Sequence, residues 1–252
     1  MNHPGSITYV GHATVLIELD GVRLLTDPVL RRHLGPLVRH GSLPSPRATE
    51  KIDAVLISHM HRDHADLASL RTLGREVRIL VPPGSRRFFE RQGFTGVTEL
   101  EAGEPSSVGP LTVTAVDADH DGGGRRHASG AQSLGFLIRG RQNVYFAGDT
   151  DLFDGMADLA PELDLALLPV WGWGPTLGPG HLDPERAARA VALLSPRLAV
   201  PIHWGTLYPL GLARLRPDQL RLPGERFAAF VRELAPQVAT RVLSPGESAS
   251  LS

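Results

Sequence analysis

Four side chains able to bind a metal crowd six positions of the chain, His59-Met60-His61-Arg62-Asp63-His64, where the apolar run Ile52 to Ile57 gives out. A catalytic zinc takes imidazole nitrogen and carboxylate oxygen when no thiolate is offered, using three protein ligands and leaving one position open. The chain has no cysteine, so disulfides, thiolate metal sites and a cysteine nucleophile are excluded. Residues two apart on a strand point to one side, so His59 and His61 are expected to converge on one metal. The tight turn after them aims Asp63 and His64 at a second. Two such sites need further ligands from distant strand ends. His120 follows the run Leu111 to Val116, Asp149 stands in Ala147-Gly148-Asp149-Thr150, and His203 closes Leu198 to Ile202. An isolated histidine would be read as a surface or hydrogen-bonded core residue; recurrence at strand ends turns these into a constellation.

The elements that must position these groups are mixed. Strands Ser6 to Val10, Val15 to Leu19 and Val22 to Asp27 open the chain as a meander with a hairpin turn at Asp20-Gly21. Prolines and glycines then mark residues 28–50 as a long loop, a length that in a compact domain is functional or mobile. Helices are predicted over Ala65 to Leu73 and Ser85 to Gln92. A third follows the N-cap Asp183-Pro184-Glu185, and Phe227, Phe230, Val231 and Leu234 mark a last one. Further strands are expected over Ile52 to Ile57, Val77 to Val81, Val97 to Leu100, Ser133 to Arg139, Val144 to Ala147, Leu165 to Leu168 and Thr240 to Leu243. A second β/α half is expected to begin near residue 165. With no linker or repeat, the pattern predicts one α/β domain over residues 1–252, with helices outside paired sheets.

Composition narrows the partners. The 252 residues carry 26 basic and 27 acidic side chains, a net charge of −1, which supplies no global field for nucleic acid or an anionic membrane. No apolar stretch approaches about 18 residues, so no membrane span is expected. The first residues lack the basic start and apolar core of a signal peptide, which makes a soluble cytoplasmic protein the expectation.

The His59 to His64 run, with His120, Asp149 and His203, resembles the metallo-β-lactamase superfamily of dinuclear hydrolases. It is most similar to the branch of N-acyl phosphatidylethanolamine phospholipase D and L-ascorbate-6-phosphate lactonase. Gly11-His12-Ala13-Thr14, Leu25-Thr26-Asp27-Pro28, Phe146-Ala147-Gly148-Asp149-Thr150, His181-Leu182-Asp183-Pro184-Glu185 and Pro201-Ile202-His203-Trp204-Gly205-Thr206 carry the likeness to the branch. The resemblance implies a four-layer αβ/βα sandwich. It also implies one metal on His59, His61 and His120, another on Asp63, His64 and His203, and Asp149 bridging them. Such paired cations lower the pKa of a shared water and polarise the oxygen under attack, which makes hydrolysis the natural outcome. Histidine and carboxylate donors suit two zinc ions, with manganese and iron(II) as alternatives.

Departures narrow the family. Missing cysteine excludes β-lactamases of the cysteine-ligand kind, and a bridging aspartate is not a feature of the other subclasses. Flavo-di-iron relatives place glutamate where His61 stands. The accessory RNA-binding arm of the superfamily's nucleases is not found, and neither is the long N-terminal extension of the animal phospholipase, which argues against long-chain lipid as substrate.

Other residues are candidates around the metals. His12 is expected to line the pocket or orient a ligand, with a backbone hydrogen bond as the alternative. Asp27 is expected to hold a metal-bound imidazole by its other N–H, with a plain turn-capping aspartate as the alternative. His181, just before a helix N-terminus, could contact a substrate phosphate or protonate a leaving group, joining Asp63 and Asp149 as catalytic residues. Arg125 and Arg126 in the Gly122-to-Arg126 loop could clamp a phosphate or simply belong to a solvated loop, and Trp171 and Trp173 could form a pocket wall or pack under their loop. The leading expectation is a phosphodiesterase- or lactonase-like hydrolase of a small phosphorylated, phosphodiester or lactone/ester substrate. The competing readings are a non-catalytic metal- or ligand-binding protein on the same fold and, more weakly, a nucleic-acid-processing enzyme.

Overall fold

Period-two burial divides the strand side chains between two faces. In β6 (Ala54–Leu56) and the residue after it, Ala54 and Leu56 enter the core between the sheets, while Val55 and Ile57 face the opposite way, towards helices. In β7 (Arg78–Val81), Leu80 points inward and Ile79 and Val81 outward. The protein, described by a computed structural model over residues 4–120, 132–159, 162–171, 178 and 180–251, is built from two seven-stranded sheets with this alternation.

The first sheet starts from the antiparallel meander β1 (Ser6–Gly11), β2 (Thr14–Leu19) and β3 (Val22–Thr26). Its hairpin turn places Asp20 at φ 49° and Gly21 at φ 82°, the left-handed pair that a two-residue turn between twisted strands demands. Parallel strands β6, β7 and β8 (Val97–Glu99) extend it. The second sheet runs β9 (Pro105–Val108), β10 (Leu111–Asp117), β11 (Leu134–Arg139), β12 (Asn143–Phe146), β13 (Leu165–Pro169), β14 (Leu198–Ile202) and β16 (Ala239–Thr240). One continuous apolar core joins Ile7, Val15 and Ile17 of the first sheet to Val113, Phe136 and Leu167 of the second. Helices α1 (Leu67–Leu73) and α2 (Arg86–Arg91) cover the outside of the first sheet, with Leu70 and Phe89 packed on Val55 and Ile79. On the second sheet lie α3 (Pro184–Leu194) and α5 (Leu222–Leu234), beyond the short α4 (Leu212–Leu215). The layers are those of an αβ/βα sandwich. No helix among the described residues is long and apolar enough to cross a membrane.

Four expectations are corrected. The second sheet begins at β9, well before residue 165, because its first strands are antiparallel hairpins without helices. The strand expected over Thr240 to Leu243 ends at Thr240, and the chain instead returns to the first sheet as β17 (Ser248–Ser250), paired with β1. Two serines around one alanine show no apolar run, so only backbone pairing reveals that strand. Helix α1 starts at Leu67 because Asp66 caps it, accepting from Ser69 N at 3.1 Å. Finally, residues 28–50 are not structureless. They hold β4 (His33–Leu34) and β5 (Leu37–Arg39), which pair with each other and, through β5, with β15 (Leu207–Pro209).

That small sheet locks the early turns to the late ones. Arg39, fully buried, donates to the carbonyls of Val10 (3.1 Å), Arg31 (3.4 Å) and Val29. His12 N bonds Thr206 Oγ1 at 3.1 Å, and His203 N bonds His12 O at 2.8 Å. The buried Tyr9 hydroxyl donates to Trp204 O at 2.5 Å; burial pushes its pKa up to about 12, so it stays a donor. Replacing Arg39 by alanine would orphan buried carbonyls at about 1–3 kcal/mol each. The expected outcome is a loss of about 3 kcal/mol in urea unfolding; a loss below about 1 kcal/mol would contradict the clamp.

Candidate metal centre

The run His59 to His64 does not continue a strand. β6 ends at Leu56, and the residues beyond it are irregular, so strand alternation is not what brings His59 and His61 together. A turn follows them, with the N–H groups of His64 (3.0 Å) and Ala65 (2.8 Å) both bonding His61 O. It folds Asp63 and His64 back under the histidines. The run is held against the second sheet by Leu134 N, which bonds Ser58 O at 2.9 Å. Gly148, at φ +62°, lies so near Ser58 that a Cβ would fall 2.6 Å from the serine Cβ. Only glycine allows the Asp149 turn to come this close.

His59, His61 and His120 form one set. His61 Nδ1 lies 2.9 Å from His59 Nε2 and 3.3 Å from His120 Nε2. Tetrahedral bonds of about 2.0–2.1 Å to one zinc would separate nitrogens by about 3.4 Å, close to this spacing. Second partners fix the tautomers. His120 Nδ1 donates to Gly180 O at 2.8 Å, which turns its Nε2 lone pair inward. Ser58 Oγ gives its only proton to Asp27 Oδ2 at 2.6 Å, so it accepts from His59 Nδ1 at 3.0 Å. His59 Nε2 therefore also presents a lone pair.

Asp63, His64 and His203 form the second set, with Asp149 against both. His64 Nδ1 donates to Asp27 Oδ2 at 2.7 Å, and its Nε2 faces Asp63 Oδ2 (3.2 Å) and Asp149 Oδ2 (3.3 Å). His203 Nδ1 donates to Trp171 O, leaving Nε2 at 3.3 Å from Asp149 Oδ2 and 3.6 Å from Asp63 Oδ2. Among the described residues, the buried His64 Nε2 and Asp149 Oδ1 have no hydrogen-bond partner. Lone pairs and carboxylate oxygens aimed at one another in a dry space call for cations, and the donor set fits divalent metals of the zinc, manganese or iron kind.

The electrostatics of the metal-free protein agree. Burial pushes His64 and His203 down, but Asp149 and Asp63, joined by Asp27 at His64, overcome it and raise both. Burial pushes Asp63 and Asp149 up, and the surrounding histidines hold both well below the carboxylate range. Burial and the neighbouring His64 take His59 well down. His12, fully buried, is held at about 3 by burial and by His203, so it is neutral; its Nε2–H donates to Asp63 Oδ2 at 2.9 Å.

The structure therefore gathers His59, His61, Asp63, His64, His120, Asp149 and His203 at one place, with His12 against Asp63 and Asp27 behind His64. His181 Nε2 stands 4.0 Å from Asp149 Oδ2, half-buried at the rim, and the buried Trp171 lines the same space. Arg125, Arg126 and Trp173 lie outside the described residues. Sequence reasoning missed Ser58, whose hydroxyl and N–H both bond Asp27. Its place next to His59 was the available signal. The carbonyls of Trp171 and Gly180 left none, since any residue can supply a carbonyl.

A beta-lactamase superfamily domain model matches residues 22–204. The chain belongs to this superfamily. A metal-dependent hydrolase of Methanopyrus kandleri is 31% identical over 261 aligned positions, spanning 96% of this chain and 98% of that one, which places the chain among the superfamily's metal-dependent hydrolases. An N-acyl-phosphatidylethanolamine-hydrolyzing phospholipase D of Caenorhabditis elegans is 30% identical over 81% of this chain, which spans 64% of that protein's length. Among solved structures, a metallo hydrolase from Ignicoccus hospitalis shares the fold, with a TM-score of 0.71, 24% identity and 97% of each chain covered.

Two predictions follow from the geometry. Asp27→Asn removes the carboxylate that orients His64 and Ser58, and metal affinity should fall about 10–100-fold with the circular dichroism unchanged; unaltered affinity would deny Asp27 its role. Metal ligands must be neutral imidazoles, and His64 and His203 are raised towards the protonated form. Metal uptake at pH 7 should therefore release protons, seen as calorimetric enthalpies that vary with buffer ionisation enthalpy. The release should shrink as pH rises and those rings become neutral beforehand. Uptake with no proton release at pH 7 would contradict this account.

Proposed function

We propose that this chain is a dinuclear metal-dependent hydrolase of a small phosphorylated, phosphodiester or lactone/ester substrate. The observation that carries the reading is the pair of interlocked donor sets, His59/His61/His120 and Asp63/His64/His203, with Asp149 Oδ2 facing the second set and near the first. Two divalent ions held there, zinc by the donor chemistry, would activate water and polarise the oxygen under attack. The chain's own groups supply the rest. Asp149 is placed to span the pair. His12 holds the Asp63 carboxylate in orientation, and Asp27 with Ser58 does the same for His64 and His59.

His181 is the candidate proton donor. It sits at the rim, where a leaving group departs, and its Nε2 is near Asp149 without belonging to either donor set. The phospholipase relative supports a phosphorus ester as one electrophile, and the same centre suits a carbonyl ester.

Protein reconstituted with zinc or manganese should bind about two metals per chain and hydrolyse bis(4-nitrophenyl) phosphate or a simple lactone, with turnover abolished by chelation. His181→Ala should retain both metals and lose about 10²–10³-fold in kcat on substrates with alkoxide leaving groups. With 4-nitrophenolate as leaving group the loss should be small, because that group departs without a proton. Two bound metals with no turnover of any phosphodiester, ester or lactone would favour a non-catalytic binding protein instead. Equal losses for both kinds of leaving group would remove His181 from its assigned role.

A further inference from the structure

A cleft of about 660 Å³ lies between the N-terminal end of α3 and one face of α5. Trp171 and His181 line both this cleft and the small void against Asp149 and His203, so the cleft adjoins the candidate metal centre. Its α5 wall is continuous because Leu222, Arg226 and Phe230 recur every four residues along one helical face. The helix is held close to the centre at Gly224. A Cβ there would fall 2.8 Å from the Trp204 ring, so α5 lies directly on the residue after His203.

The chemistry of the lining is uneven. Trp171, Leu222, Pro223 and Phe230 give it an apolar side, and His181, Asp183, Glu185, Arg186, Gln219 and Arg226 a polar one. Most of its charges are already matched: Arg186 pairs with Asp151, Glu185 with Arg189 at 2.6 Å, and Asp183 accepts from Arg186 N at 2.8 Å. Arg226 is exposed and forms no ion pair or hydrogen bond with another described residue. An unmatched guanidinium beside an apolar wall suits an anion carried on an apolar body.

We infer that this cleft is the subsite for the non-reacting part of the substrate, an apolar chain or ring that bears an anionic group. The apolar part lies along Trp171, Leu222 and Phe230, and the anion meets Arg226. The volume suits one drug-sized group, within the roughly 300–1,000 Å³ of small-molecule sites. The inference rests on the hydrolase reading for its link to turnover, and on the cleft alone for binding.

Octane-1-sulfonate is the probe, since sulfonate is a poor ligand for divalent metals. Calorimetry on the metal-loaded protein should show it binding at one site, with ethanesulfonate at least about tenfold weaker. Arg226→Ala should weaken octanesulfonate about tenfold, and Arg226→Lys should restore most of the affinity. Arg226 is exposed, so neither change threatens the fold. Equal binding by wild type and Arg226→Ala, or by the two sulfonates, overturns the proposal. Octanesulfonate should also compete with the hydrolysed ester. Turnover untouched by saturating octanesulfonate overturns the subsite and leaves the hydrolase intact. Arg226-dependent binding without turnover of any substrate overturns the hydrolase and leaves the binding site standing.

Discussion

Mutual repulsion among inward-facing lone pairs and carboxylates is the constraint on which this structure turns. His59, His64, His120 and His203 each commit one ring nitrogen outward, to Ser58, Asp27, Gly180 and Trp171, and so present the other inward. Asp63 and Asp149 add carboxylate oxygens to the same buried space. Without cations, the protein answers by drawing protons onto His64 and His203. Divalent metals satisfy the same donors without protons, so metal loading and proton release are two sides of one equilibrium.

The fold exists at this edge to hold turns, and the strands serve as their anchors. Two facing sheets share one apolar core, and the loops leaving β6, β10, β12 and β14 meet at one end of it. The backbone bears strain there. His12 at φ 59° and His203 at φ 62° are both left-handed, a conformation that costs a non-glycine residue about 1–3 kcal/mol. The bond from His203 N to His12 O, the Thr206 hydroxyl and the buried Arg39 hold these turns in place. The Gly-His-Ala-Thr and His-Trp-Gly-Thr segments are therefore two halves of one joint.

Much of the site was legible because its chemistry is concentrated in residue types. Histidine and aspartate at strand ends mark candidate metal ligands, and the structure brings the His59 to His64 run together with His120, Asp149 and His203. The backbone that carries the run was only half legible: the turn that returns Asp63 and His64 was expected, but His59 and His61 lie beyond the end of β6 rather than on a strand. Contributions made through backbone atoms, such as Gly180 O and Trp171 O, were not legible, nor was the β17 pairing that a Ser-Ala-Ser segment forms without an apolar pattern. Residues 28–50 read as loop because prolines and glycines break every periodicity, yet the segment delivers Arg39 to the interior. A lone buried arginine gives no periodic signal, and its partners are carbonyls from distant turns.

Anomalous diffraction from crystals of the metal-loaded protein, recorded across the metal's absorption edge, tests the central claim most directly. The account predicts two peaks per chain about 3.5–4 Å apart. One should be bonded to His59 Nε2, His61 Nδ1 and His120 Nε2, the other to Asp63, His64 and His203, with Asp149 between them and His12 bonded to Asp63 rather than to metal. A single peak, or a metal bonded to His12 in place of His203, would contradict it.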